Sequence, residues 1–114
     1  MMIGEESLRF IRNELQELES PVRGISYENR AIVALQIRVG DSLNLELELD
    51  NLYDPNAVRV LYGNEQIGYV QRDKSKIISR ELQLERSCEV FASQVRLADA
   101  FNLYPWIEIM IRFT

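Results

Sequence analysis

The sequence predicts a mainly β protein, a small, twisted, partly closed barrel of about six strands with a short helix inserted before the last two strands and an amphipathic helix at its N-terminus. Three observations carry this reading. Leu43, Leu45, Leu47 and Leu49 alternate with Asn44, Glu46 and Glu48, the period of a strand with one wet face. Gly63-Asn64 separates two apolar runs, which is the signature of a hairpin. Ile107, Ile109, Ile111 and Phe113 alternate against Glu108 and Arg112. A chain of 114 residues builds one core but not two, and curling the sheet removes the exposed edges that short strands otherwise present.

Taken in order, Glu5 to Glu19 places Leu8, Ile11, Leu15 and Leu18 at helical spacing with charges between them, and Ser20-Pro21 ends the pattern. Such a helix packs its stripe on the barrel or pairs with a second chain to make a homodimer, and the pattern leaves both open. Residues 1–20 are therefore expected to be a helical extension, and residues 21–114 the barrel domain. Ala57 to Tyr62 is rich in β-branched residues, and Gln66 to Val70 returns as its hairpin partner. Asp73 is placed to cap a helix running through Ile77, Ile78 and Leu82, whose spacing suits a lid across one end of the barrel. Cys88 to Leu97 and Trp106 to Phe113 supply the last two strands.

Composition excludes several classes of function. With 46% apolar and 27% charged residues the chain has the balance of a folded domain and not of a disordered tail. It has no histidine and one cysteine, which removes an internal disulfide, the usual zinc and haem sites and His-based catalysis. Cys88 lies in a strand-like run and reads as a small buried hydrophobe. No stretch approaches the roughly 20 apolar residues that span a bilayer, and Met1 to Glu6 is acidic where a secretory leader is basic; a cytoplasmic chain without membrane contact is expected.

The net charge of -5 disfavours broad coating of a polyanion, because that binding draws its affinity from many Lys and Arg contacts. The acidity is concentrated at the front, where Glu5, Glu6, Glu14, Glu17 and Glu19 face only Arg9 and Arg12, leaving 13 acidic and 11 basic residues from Pro21 onward. The main body can therefore hold a local basic face. Asp50, Asp54 and Asp73 are scattered singly among turns and no Gly-rich phosphate loop is present, so metal-assisted phosphoryl chemistry lacks its ligands. The expectation is a binding module without cofactor or metal, not an enzyme.

Three pieces occur together in order: Gly24-Ile25-Ser26-Tyr27, Asp50-Asn51-Leu52-Tyr53-Asp54-Pro55-Asn56-Ala57-Val58, and Gln66-Ile67-Gly68-Tyr69-Val70. This combination resembles the HIRAN domain, and the middle piece is its most specific part. The resemblance implies a modified OB-like barrel that captures the 3′ end of single-stranded DNA, in the setting of DNA repair or replication. It implies that Tyr27 and Tyr53 stack on or border the terminal bases, each such contact being worth about 1–3 kcal/mol. Asp54 corresponds to the acidic residue that accepts a hydrogen bond from the terminal 3′-hydroxyl, Asn51 to a base or backbone contact, and Arg72 to a phosphate contact. Lys74 follows Arg72 on the same basic segment. Ser26 stands where end-binding relatives carry an arginine, so a phosphate contact is missing there unless Arg23 or Arg30 replaces it. Leu52 stands where a proline is common, and Tyr69 occupies a position where other members present histidine.

Each of these residues also has a reading that needs no ligand. Asp54 and Asn56 suit the caps of a turn entering a strand, Tyr27 and Tyr53 suit a core with satisfied hydroxyls, and Gly68 suits a bulge or a close backbone approach. Lys74, Lys76 and Arg80, with Arg72, form either a solvated helix face or a phosphate-facing patch. A protein-interaction or dimerisation module is the alternative function, because a barrel of this kind serves many purposes.

Overall fold

The computed structural model describes residues 8–11 and 14–114. Seven strands and two helices follow one another as β1 (Leu8–Ile11), β2 (Glu14–Arg23), α1 (Arg30–Ala34), β3 (Asn44–Leu47), β4 (Val58–Tyr62), β5 (Glu65–Val70), α2 (Arg72–Gln83), β6 (Cys88–Arg96) and β7 (Trp106–Phe113). The sheet runs in the order β3-β4-β5-β2-β7-β6 with β1 on β2, and every pairing is antiparallel. Its two ends meet where Gly40 N–H donates to the Ala92 carbonyl (2.8 Å), Ala92 N–H to Asp41 (3.0 Å) and Leu43 N–H to Val90 (2.9 Å). The sheet is thereby curled into a partly closed barrel.

Strand β2 joins the two halves. Glu17 to Pro21 pair with β7, whereas Val22 and Arg23 pair with β5. Pro21 sits at this changeover, where a residue without an N–H costs the ladder least. The expected helix over Glu5–Glu19 is not formed by the described residues, which are the strands β1 and β2. Residues 5–7, 12 and 13 lie outside the described part. The register supplies the reason: Arg9 faces Glu17 but Phe10 faces Leu15, so Gln16 is an extra residue in a β-bulge. The bulge turns Leu15 and Leu18 to the same buried side, and a strand with such an insertion imitates the three-residue spacing of a helix.

The barrel interior follows the alternation of the strands. Ile107, Ile109 and Ile111 of β7 are fully buried beside Leu18, Val58, Val60, Ile67 and Ile78. On β3 the alternation ends early: Leu43 is buried, Leu45 and Leu47 pack against the core, but Leu49 is exposed. The chain has by then left the ladder, since Asn51 N–H closes a turn on the Glu48 carbonyl (3.2 Å). Cys88 is half-buried against the core, and burial raises its thiol above the ordinary value. The hairpin at Gly63 forms as expected, with φ +62° at the glycine.

Helix α2 lies against the barrel with Ser75, Ile78 and Ser79 buried, the two serines being small enough for close approach. It begins earlier than expected and is not capped by Asp73. Gln71 stands at the N-cap without a side-chain cap, and Asp73 falls in the first turn, accepting from Gln71 Nε2 (2.8 Å). Two bonds from β2 fix this end: Ser20 Oγ accepts the Gln71 N–H (2.9 Å), and Lys74 Nζ donates to the Glu19 carbonyl (2.6 Å). Helix α1 was not foreseen. Its five residues bury only Ala34, too faint a pattern to detect beside the strands.

Candidate functional site

The loop from β3 to β4 is shaped by its own side chains. Asn51 Oδ1 accepts the backbone N–H of Tyr53 (2.8 Å) and of Asp54 (2.9 Å), while its Nδ2 donates to Glu48 Oε1 (2.7 Å). Asp54 Oδ1 then accepts the Asn56 N–H (2.9 Å), and the Asp54 carbonyl accepts the Ala57 N–H (3.1 Å). These are nested Asx turns, in which a short polar side chain substitutes for a backbone acceptor. Two results follow for chemistry. The Asn51 amide is committed to positioning the loop, and the second Asp54 carboxylate oxygen has no hydrogen-bond donor among the described residues.

The same loop holds Tyr53 outward, 88% exposed, so it is not a core aromatic. Its carbonyl accepts from Arg72 NH2 (3.1 Å), which ties the loop to the start of α2. Between them lies a groove of about 520 Å³ lined by Arg23, Asn51, Tyr53, Asp54, Tyr69 and Arg72, among others. The fold thus brings together five of the residues expected from sequence.

Tyr69 enters this groove from β5 because of Gly68. A Cβ at position 68 would overlap the Arg23 carbonyl oxygen and Val22 Cγ1, so β2 and β5 approach this closely only at a glycine. The ladder also shifts here, Val60 facing Gly68 and Leu61 facing Gln66. The Tyr69 hydroxyl donates to Glu48 Oε1 (2.8 Å). Burial raises the Glu48 carboxyl, but the bonds from Tyr69 and Asn51 and the nearby Arg59 and Arg30 lower it further, leaving it below the ordinary 4.5. Glu48 is therefore a charged anchor beneath the groove.

Tyr27 stands beside the groove, 67% exposed. The Arg30 guanidinium lies 6.0 Å from its ring centroid and 5.3 Å from that of Tyr69, linking both rings through cation–π contacts. Arg30 donates through NH1 to the Gly24 carbonyl (3.0 Å) and pairs through NH2 with Glu28 (3.2 Å), while its buried Nε has no hydrogen-bond partner among the described residues. Ser26 is exposed in the preceding turn and is not part of the groove lining, nor is Lys74, whose ammonium holds β2. Of the two arginines that could replace the cation missing at Ser26, Arg23 is the one in the groove, and its guanidinium has no carboxylate within reach among the described residues.

Glu48 escaped the sequence reading because it resembled one more solvent-facing member of the Leu/Glu alternation. Arg23 gave a weak signal, a cation ending β2 just before Gly24. The role of Glu48 is not visible until β3, β4 and β5 are assembled, and the same assembly decides between Arg23 and Arg30, which the sequence left open.

Comparison with known proteins agrees with this architecture. The crystal structure of the HIRAN domain of human HLTF superimposes with a TM-score of 0.67 at 18% identity, covering 86% of this chain and 74% of that one. A Lactobacillus plantarum protein superimposes with a TM-score of 0.67 at 18% identity, covering 84% of this chain and 92% of that one. At such identity these likenesses establish the fold. A search of curated proteins returned no match. The family model of the HIRAN domain matches residues 15–114, nearly the whole chain, and the protein therefore belongs to the HIRAN domain family of nucleic-acid-binding modules.

Proposed function

We propose that the chain captures the 3′ end of single-stranded DNA in the groove between the 51–56 loop and the start of α2, as a non-catalytic module serving DNA repair or replication. The observation that carries the reading is the state of Asp54. One carboxylate oxygen is occupied by the Asn56 N–H and the other is uncommitted, in a groove that also presents Arg23, Tyr53 and Arg72. A terminal 3′-hydroxyl donates to that free oxygen in a charge-assisted bond; a strand continuing past this point has no such proton to offer. Tyr53 stacks on the terminal base, Tyr27 borders the next, and Tyr69 with Asn51 shapes the wall. Arg23 and Arg72 neutralise phosphates.

The test is fluorescence anisotropy with labelled single strands ending in a 3′-hydroxyl or a 3′-phosphate. The hydroxyl end binds and the phosphate end does not, because two anions would meet at Asp54. Asp54→Asn keeps an oxygen for the Asn56 N–H while removing the charge, so it folds normally and loses the discrimination. Equal binding of both ends by the wild-type chain would sink the reading.

A second reading, a protein-interaction module, is favoured by one feature. The loop between β6 and β7 exposes Leu97, Phe101, Leu103 and Tyr104, Phe101 at 94%, and Asp99 holds it in a turn by accepting the N–H groups of Phe101 and Asn102 (both 2.8 Å). Large apolar side chains displayed together mark partner surfaces. Absence of binding to any strand in the anisotropy experiment would make this the leading function.

A further inference from the structure

A second groove borders the first along α2. It holds about 540 Å³ and is lined by Asn56, Asp73, Lys76, Ile77, Arg80 and Gln83. Asp73 lines both grooves, and its carboxylate is held by Gln71 Nε2 (2.8 Å). Arg72, Lys76 and Arg80 recur every four residues, so they stand above one another on one helix face. At 1.5 Å of rise per residue the row is about 12 Å long. With about 3.4 Å of axis per phosphate, that length spans three to four phosphates of a stacked strand.

The cations of this row are left without ion pairs among the described residues, as Arg23 of the first groove is. Arg30, Arg59, Arg86 and Arg112 all form ion pairs within the chain. Arg72, Lys76 and Arg80 have no carboxylate partner among the described residues, although acidic residues outnumber basic ones by five across the sequence. Cations left unneutralised side by side in an acidic chain repel one another, and an external polyanion relieves that repulsion.

We infer that the second groove carries the sugar-phosphate backbone of the strand 5′ of the captured end, with Lys76 and Arg80 each neutralising a phosphate. The inference rests on end capture in the first groove and adds a length requirement to it. The nucleotides at the end occupy the first groove, and those behind them lie along α2.

The experiment compares 3′-hydroxyl strands of about three and about ten nucleotides by anisotropy over a salt series, on the wild-type chain, Lys76→Ala/Arg80→Ala, and Arg38→Ala as an exposed charge control outside both grooves. The wild-type chain binds the longer strand about tenfold more tightly. The double variant loses this gain, binds the short strand as before, and its log K against log salt slope on the longer strand falls by about 1.4, the value for two phosphate contacts on a single strand. Alanine at these exposed helix positions favours the helix, so the variant folds. Binding of both lengths with equal affinity by the wild-type chain overturns the inference and leaves end capture standing, as does a double variant indistinguishable from wild type. No binding of either length overturns both.

Discussion

Arg86 and Arg72 stand at opposite ends of α2 and are used in opposite ways. Arg86 follows the C-terminus of the helix, where its NH1 donates to the Leu15 carbonyl (2.7 Å) and to Glu81 (2.9 Å) while the guanidinium lies 4.9 Å from the Phe113 ring. Arg72 begins the helix, is exposed, and donates to one backbone carbonyl, that of Tyr53. A cation withdrawn from water must be given partners by its own fold, and Arg86 has three. A cation left in water at the edge of a groove keeps its donors for something else. Arg86 is committed to the fold, whereas Arg23, Arg72, Lys76 and Arg80 have no carboxylate partner among the described residues.

The largest effect expected from breaking this arrangement is at Gly68, which joins the halves. Gly68→Ala puts a methyl into the Arg23 carbonyl and Val22, and overpacking of this kind costs about 3 kcal/mol. Urea unfolding should show that loss, and DNA binding should fall with it because Arg23 and Tyr69 move apart.

The two arginines should separate the properties that Gly68 couples. Arg86→Ala should lower stability by about 2 kcal/mol, the scale of a lost charge-assisted bond with a carbonyl left unpaired, with binding unchanged. Arg72→Ala should leave the denaturation midpoint nearly in place and reduce the salt slope of single-strand binding by about 0.7. An Arg72 variant that unfolds as readily as the Arg86 variant would erase the distinction between the two ends.

The smallest effect concerns acid. The folded Glu48 carboxyl lies below its ordinary 4.5, so the stability it contributes is fully present above that value and is lost as pH falls through the depressed one. Glu48→Gln should therefore flatten the acid limb of thermal stability below pH 4.5. A wild-type acid limb that the substitution leaves unchanged would show that Tyr69 and Asn51 hold the loop without the charge.

Sequence by itself determined the mainly β architecture, the β4–β5 hairpin, the inward face of β7 and the identity of the loop that builds the groove. Each of these is local: alternation along a single strand, a glycine turn, or short polar side chains that cap the backbone two or three residues away. It also marked Asn51, Tyr53, Asp54, Tyr69 and Arg72 as belonging together, through a resemblance and not through their spacing. Only the tertiary structure decided the rest. The three-residue spacing of Leu15 and Leu18 reads as a helix until β1 reveals the bulge at Gln16. Glu48 became the anchor for Tyr69 and Asn51 because the Tyr69 hydroxyl of β5 reaches past β4 to the residue that follows β3, 21 residues away in sequence. Lys74 turned toward the Glu19 carbonyl, across a separation of 55 residues, and away from the groove that its neighbour Arg72 lines. Local patterns record which faces avoid water, whereas the partner of a charge depends on which distant strand arrives beside it.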